Sequence, residues 1–206
     1  MFRPAATPAS RDVPVVVYAP GCPNLDADLR QWAVLLTGHG YAVIALDHRA
    51  PGGRQRACSA TVLYGPVDVQ TLATRDAEIG YALRQVRALP WVRQHAVFLM
   101  GVGQGAVVAA GYAGPAFTGY ILTGWSCTSP HPRGQLATAL TRPVLAIRWA
   151  DDPWLRDPAW NGDCATSLGP RPSSRSLVLD GTGHSVAGAE RAERAVVDFL
   201  RRHTPR

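Results

Sequence analysis

A carboxylate and an imidazole, each just past a run of apolar residues, are the first candidates for chemistry in this chain. They are Asp152 in Asp151-Asp152-Pro153 and His184 in Gly181-Thr182-Gly183-His184. A carboxylate that holds a histidine in one tautomer leaves the other ring nitrogen free to act as a general base. Upstream of both lies the apolar run 96–102, the turn Gly101-Val102-Gly103-Gln104-Gly105, and the small apolar residues 106–110. This reads as a buried strand, a glycine turn and a helix, the setting in which G-x-S-x-G mounts a serine on a strained corner. Gly103 stands at the serine's position. Acyl hydrolysis needs a nucleophile, a base, an acid that orients the base, and donors for the oxyanion. The chain offers all of these except the nucleophile at 103.

The elements that must position these residues follow from hydrophobic periodicity. Apolar runs at 13–19, 41–46, 96–102, 119–124, 143–149 and 176–180 read as buried strands. Helical spacing of Leu29, Trp32, Ala33 and Leu36 predicts a helix capped by Asn24 or Asp26 and stopped at Gly38-His39-Gly40. A second helix is expected over 71–88 with Ala77, Tyr81, Leu83 and Val86 inward. A C-terminal helix is expected over 189–201 with Ala192, Val196, Phe199 and Leu200 inward. Residues 135–140 could form a short helix, while 50–70 and 150–175 read as loop, the latter with room for a helical turn. Strands alternating with helices imply one α/β domain over 1–206, a mostly parallel sheet flanked by helices on both faces, with 1–12 a flexible N-terminal segment. Ligands bind such sheets beyond the carboxyl ends of the strands. Pro20-Gly21-Cys22, Asp47-His48, Gly103-Gln104, Ser126-Cys127, Asp151-Asp152 and His184 all fall there.

Gly103, Asp152 and His184 follow the order nucleophile, acid, base, each at the end of an expected strand. With the glycine turn, this arrangement resembles the α/β-hydrolase superfamily over nearly the whole chain, and within it the short, lidless dienelactone-hydrolase-like proteins. The resemblance implies that Asp152 is the acid and His184 the general base. It implies that the backbone N–H groups of Cys22 and Gln104 form the oxyanion hole, with Pro20 standing where the family has histidine. It also implies an ester- or lactone-hydrolase type of activity, weakened or altered because Gly103 cannot attack. The alternatives are a non-catalytic protein that binds a small molecule in the retained pocket, and a lyase or decarboxylation step on the same Asp–His pair.

Other residues near the strand ends have competing readings. Trp125, Trp149, Trp154 and Trp160 could wall a pocket, as could Ser126 and Cys127, which are also candidates for a relocated nucleophile. Asp151 is a loop carboxylate and the fallback acid should the register slip by one. Asp47-His48-Arg49 reads as ordering the loop after the second strand. A dinucleotide fingerprint G-x-G-x-x-G would need glycine where Ala106 stands, and would belong on the first strand.

Composition removes several classes of function. All 21 basic side chains are arginine, so a lysine Schiff base and a Ser–Lys dyad are excluded. The net charge of +6 comes from scattered arginines without a basic run or interleaved aromatics, which argues against nucleic acid as a partner. No apolar run is long enough for a membrane span, and the first ten residues lack the apolar core of a signal peptide. No C-x-x-C or H-x-x-x-H spacing marks a metal site, and no cofactor is expected. A small-molecule substrate or ligand is the expected partner, with the oligomeric state open.

In the fold that the resemblance implies, Cys22 and Cys58 follow neighbouring strands, as do Cys127 and Cys164. Disulfides 22–58 and 127–164 are therefore geometrically reasonable, and buried free thiols are the alternative. As written, the chain is expected in the cytoplasm; if a signal peptide has been removed and the cysteines pair, it is expected in the periplasm or outside the cell.

Overall fold

β-Branched and apolar residues at 13–19 form β1 (Val13–Ala19), whose side chains are almost all buried on both faces. This is the pattern of a central strand in a parallel sheet. The computed structural model describes residues 1–4, 12–21, 25–48, 69–128 and 135–205. The other strands are β2 (Ala42–Ala45), β3 (Val92–Val102), β4 (Tyr120–Thr123), β5 (Val144–Asp151) and β6 (Arg175–Thr182). They form one sheet in the order β2-β1-β3-β4-β5-β6, with every neighbouring pair parallel.

The helices are α1 (Ala27–Gly38), α2 (Val69–Arg87), α3 (Gln104–Gly111), α4 (Ala165–Leu168) and α5 (Glu190–His203). Alternation along the strands sends Val15 and Val17 towards α2 and α3, and Val16 and Tyr18 towards α1 and α5. Two apolar layers result, one on each face of the sheet. Burying a side chain such as Leu36 or Phe98 in these layers contributes about 1.5–3 kcal/mol relative to exposure.

The chain first builds outward from β1 to β2, then returns to add β3 on the other side of β1. The reversal leaves a crevice at the carboxyl ends of β1 and β3, where ligands of open α/β sheets bind. The Gly101-x-Gly103-x-Gly105 turn lies there.

Several sequence expectations change in detail. Asp26 caps α1, its carboxylate accepting from the Leu29 N–H at 3.3 Å. The buried face of α2 is Leu72, Ile79, Ala82, Leu83 and Val86, whereas Tyr81 is 58% exposed and Ala77 also faces solvent. The expected stripe shares Leu83 and Val86 with this face, and the aliphatic positions 72, 79, 83 and 86 together give the more continuous apolar surface. β3 starts four residues before Ala96, because Val92 pairs with Val13 across an irregularity that carries the polar residues Arg93, Gln94 and His95. Residues 135–140 form no helix. Instead the Ala137 N–H bonds the Ala110 carbonyl at the end of α3 at 2.8 Å. The expected flexible segment 1–12 is docked near its start: Phe2 and Val43 exchange two backbone hydrogen bonds, at 2.8 and 2.9 Å, on the edge strand β2.

Cys127 and Cys164 form a disulfide, joining the loop after β4 to the residue that precedes α4. The 22–58 pairing, Asn24 and Arg49 lie outside the described residues. No helix among the described residues is long and apolar enough to cross a membrane.

Candidate functional site

The corner between β3 and α3 is built from glycines for steric reasons. A Cβ at Gly105 would lie 2.1 Å from the Ala19 carbonyl oxygen, so only glycine lets α3 start this close to the end of β1. Gly103, between the two elements, has φ 53° and ψ −118°, a conformation that costs an L-residue strain. The Gly103 N–H is held by the Thr123 carbonyl at 2.8 Å, locking the corner to β4. The next residue, Gln104, opens α3. No described group accepts its backbone N–H, which leaves that donor open to an incoming oxygen.

His184 reaches this corner from the loop after β6. Its Nδ1 lies 2.9 and 3.1 Å from the two carboxylate oxygens of Asp152. The Asp152 side chain is fully buried, while that of His184 is 21% exposed. A buried carboxylate bonded to Nδ1 keeps the proton on that nitrogen, so Nε2 presents a lone pair. Nε2 faces the corner: a Cβ at Gly103 would sit 2.8 Å from it. The structure thus brings together Gly103, Gln104, Asp152 and His184, contributed by the turn after β3, the start of α3, the residue after β5 and the loop after β6.

Asp152 does more than hold the histidine. Its Oδ1 also accepts the Trp154 N–H at 2.9 Å, capping the 3₁₀ turn Pro153–Leu155. That turn lays the Trp154 indole on the imidazole, with ring centroids 4.3 Å apart and planes 9° from parallel. Behind His184, the Trp149 Nε1–H donates to the Ser185 carbonyl at 2.7 Å. Asp151, the fallback acid, is turned to the surface, where it accepts from Thr182 Oγ1 at 3.0 Å and pairs with Arg156 at 3.2 Å.

The remaining candidates are placed elsewhere or put to structural use. Ser126 is fully buried, its hydroxyl donating to the Trp160 carbonyl, and Cys127 is in the disulfide. As placed, neither serves as a relocated nucleophile. Trp125 is 2% exposed and packs in the core layer with α3. His48 Nε2 bonds Arg75 Nη2 at 2.7 Å, tying the end of β2 to α2. Cys22, the other expected oxyanion donor, lies outside the described residues.

Two residues at this corner carried no functional reading in the sequence. Gly124, at the end of β4, lies so close that its Cβ would meet His184 Cε1 at 3.1 Å. Its place directly after a strand, next to the expected site, was the available signal. Asp28, in the first turn of α1, is a second carboxylate in this region. Burial raises its carboxyl above the ordinary value, and a hydrogen bond with Ser185 and the charge of His184 pull it back. Nothing in the local sequence links Asp28 to a loop more than 150 residues away. Among the described residues no group of His, Cys, Asp and Glu side chains could hold a metal.

No protein-family model and no curated protein matches the sequence. Solved structures do match. An alpha/beta-superfamily protein from Xanthomonas campestris pv. campestris aligns over 93% of this chain and 99% of its own, with TM-score 0.64 and 18% identity. A dienelactone hydrolase-like promiscuous phosphotriesterase from metagenomic libraries aligns over 94% and 88%, with TM-score 0.67 and 19% identity. Esterase PE8 aligns over 98% and 96%, with TM-score 0.62 and 19% identity.

Proposed function

From the α/β-hydrolase fold that these structural neighbours share with the chain, we propose a hydrolase-type protein acting on small esters or lactones. In this reading His184, held by Asp152, is a general base for water rather than for a serine. The carrying observation is the position of His184 Nε2, whose partner nitrogen is fixed by a buried carboxylate and which itself faces the glycine corner.

Nε2 takes a proton from a water as the water oxygen bonds to the substrate carbonyl carbon. Charge developing on the carbonyl oxygen is met by the Gln104 N–H, and the imidazolium is stabilised by Asp152. The tetrahedral adduct then expels the alcohol oxygen, which takes the proton back from Nε2. The products are a carboxylic acid and an alcohol. No covalent intermediate forms, because Gly103 has no side chain. The observed disulfide makes an oxidising compartment the expected setting.

Hydrolysis of p-nitrophenyl acetate by the purified chain tests this. His184→Ala and Asp152→Asn should each lower the protein-dependent rate by about 10²-fold, the low end for loss of a positioned general base. His184→Ala turning over at the parent rate would sink the reading. The second reading, ligand binding without turnover, is favoured by the close seating of Nε2 over Gly103. It predicts no protein-dependent hydrolysis in the parent, and small-ester binding that is unchanged in His184→Ala.

A further inference from the structure

We propose that Trp154 is a positioning residue for His184, holding the imidazole plane so that Nε2 stays aimed at position 103. This role deepens the general-base reading and rests on it for its kinetic consequence, though not for its structural one. The covalent bond at Cγ and the bonds from Nδ1 to Asp152 hold one side of the ring, so rotation about Cβ–Cγ is opposed there by hydrogen bonds that bend readily. The backbone of the corner crowds the ring as well: a Cβ at Gly103 would fall 2.8 Å from Nε2, and one at Gly124 would fall 3.1 Å from Cε1 and 3.4 Å from Nδ1. A parallel indole 4.3 Å away covers one face of the ring and opposes its rotation out of that plane.

The local chain is organised to deliver that indole. Asp152 Oδ1 accepts the Trp154 N–H two residues on, and Leu155, 6% exposed, anchors the turn in the interior. One buried carboxylate therefore sets both the edge of the imidazole and the plane of the ring that covers it. Trp154 itself is only partly buried, so its removal opens no sealed cavity. When Nε2 takes a proton, the imidazolium lies on the indole face, a favourable cation–π arrangement.

The test uses the full chain with Trp154→Leu, which keeps apolar bulk without a flat face, and Trp154→Phe, which keeps the face. In the parent, proton NMR should show a slowly exchanging, downfield His184 Nδ1–H and an upfield-shifted His184 Cε1–H. In Trp154→Leu the Nδ1–H signal should vanish into solvent exchange while the melting temperature stays close to the parent's. Turnover of p-nitrophenyl acetate should fall in kcat by about 10- to 100-fold, the effect of misplacing a catalytic group by about 1 Å, with KM little changed. Trp154→Phe should restore the signal and most of kcat. A Trp154→Leu protein that keeps both the Nδ1–H signal and kcat would overturn the proposal, as would failure of Phe to restore either. If the parent shows no hydrolysis, the general-base reading fails, and the NMR comparison still decides the positioning role.

Discussion

Gly103→Ser is expected to convert this site to covalent catalysis. The substituted protein should hydrolyse p-nitrophenyl acetate at least roughly 10³-fold faster than the parent, a conservative share of what a complete triad adds to kcat. It should also accumulate a species heavier by one acetyl group, visible by mass spectrometry. The backbone at 103 already has φ 53° and ψ −118°, so a serine there would be mounted as the corner demands. The proposed reading assigns the Gln104 N–H to the oxyanion, and Asp152 is already bonded to the imidazole Nδ1.

What must change is the ring. A serine Cβ would fall 2.8 Å from Nε2, closer than carbon and nitrogen tolerate. His184 therefore has to retreat by a few tenths of an ångström before Oγ can hydrogen-bond to it. The contact is with the end of a side chain rather than with backbone, so this shift is available. Positive φ at a non-glycine residue costs on the order of 1–3 kcal/mol. The variant should thus melt several degrees lower while gaining activity. Stable, folded Gly103→Ser with no gain and no acylation would contradict the assignment of His184 and Gln104 to acyl transfer.

Replacing both Cys127 and Cys164, which are buried in the core layer with α3, by alanine should give a large loss of stability. The bridge closes a loop with a sequence separation of 37. On chain-entropy grounds a loop of that length contributes about 3–4 kcal/mol by restricting the unfolded chain. For a domain of this size that corresponds to a melting temperature lower by roughly 6–16 °C. The bridge holds the segment that begins at Gly124, against which the His184 ring is seated. Activity should therefore fall well below the melting transition, in parallel with loss of the His184 Nδ1–H signal. A melting temperature within about 2 °C of the parent would show that the loop after β4 is held by its other contacts, such as the Ser126–Trp160 bond.

Much of this architecture is legible in the amino-acid sequence. Apolar runs of strand length at 13–19 and 143–149, helical spacing at 29–36 and 192–200, and the turn residues between them specify a parallel α/β sheet, because each pattern records which side of a local element faces the interior. The three glycines at 101, 103 and 105 mark the corner for the same local reason: a side chain at 105 would strike the end of β1, and one at 103 would be strained. Asp152 and His184 are recognisable from their place after strands. The Trp154 stack, the seat against Gly124, the nearness of Asp28 and the fate of Ser126 are not. Each joins segments tens to more than a hundred residues apart. Their meeting depends on how β4, β5 and β6 register against one another and on where the loops after them are tied. Periodicity along a chain carries the orientation of one element to its neighbours. It carries no distance between side chains on different strands, and the distance from Nε2 to position 103 decides how a corner without its serine can work.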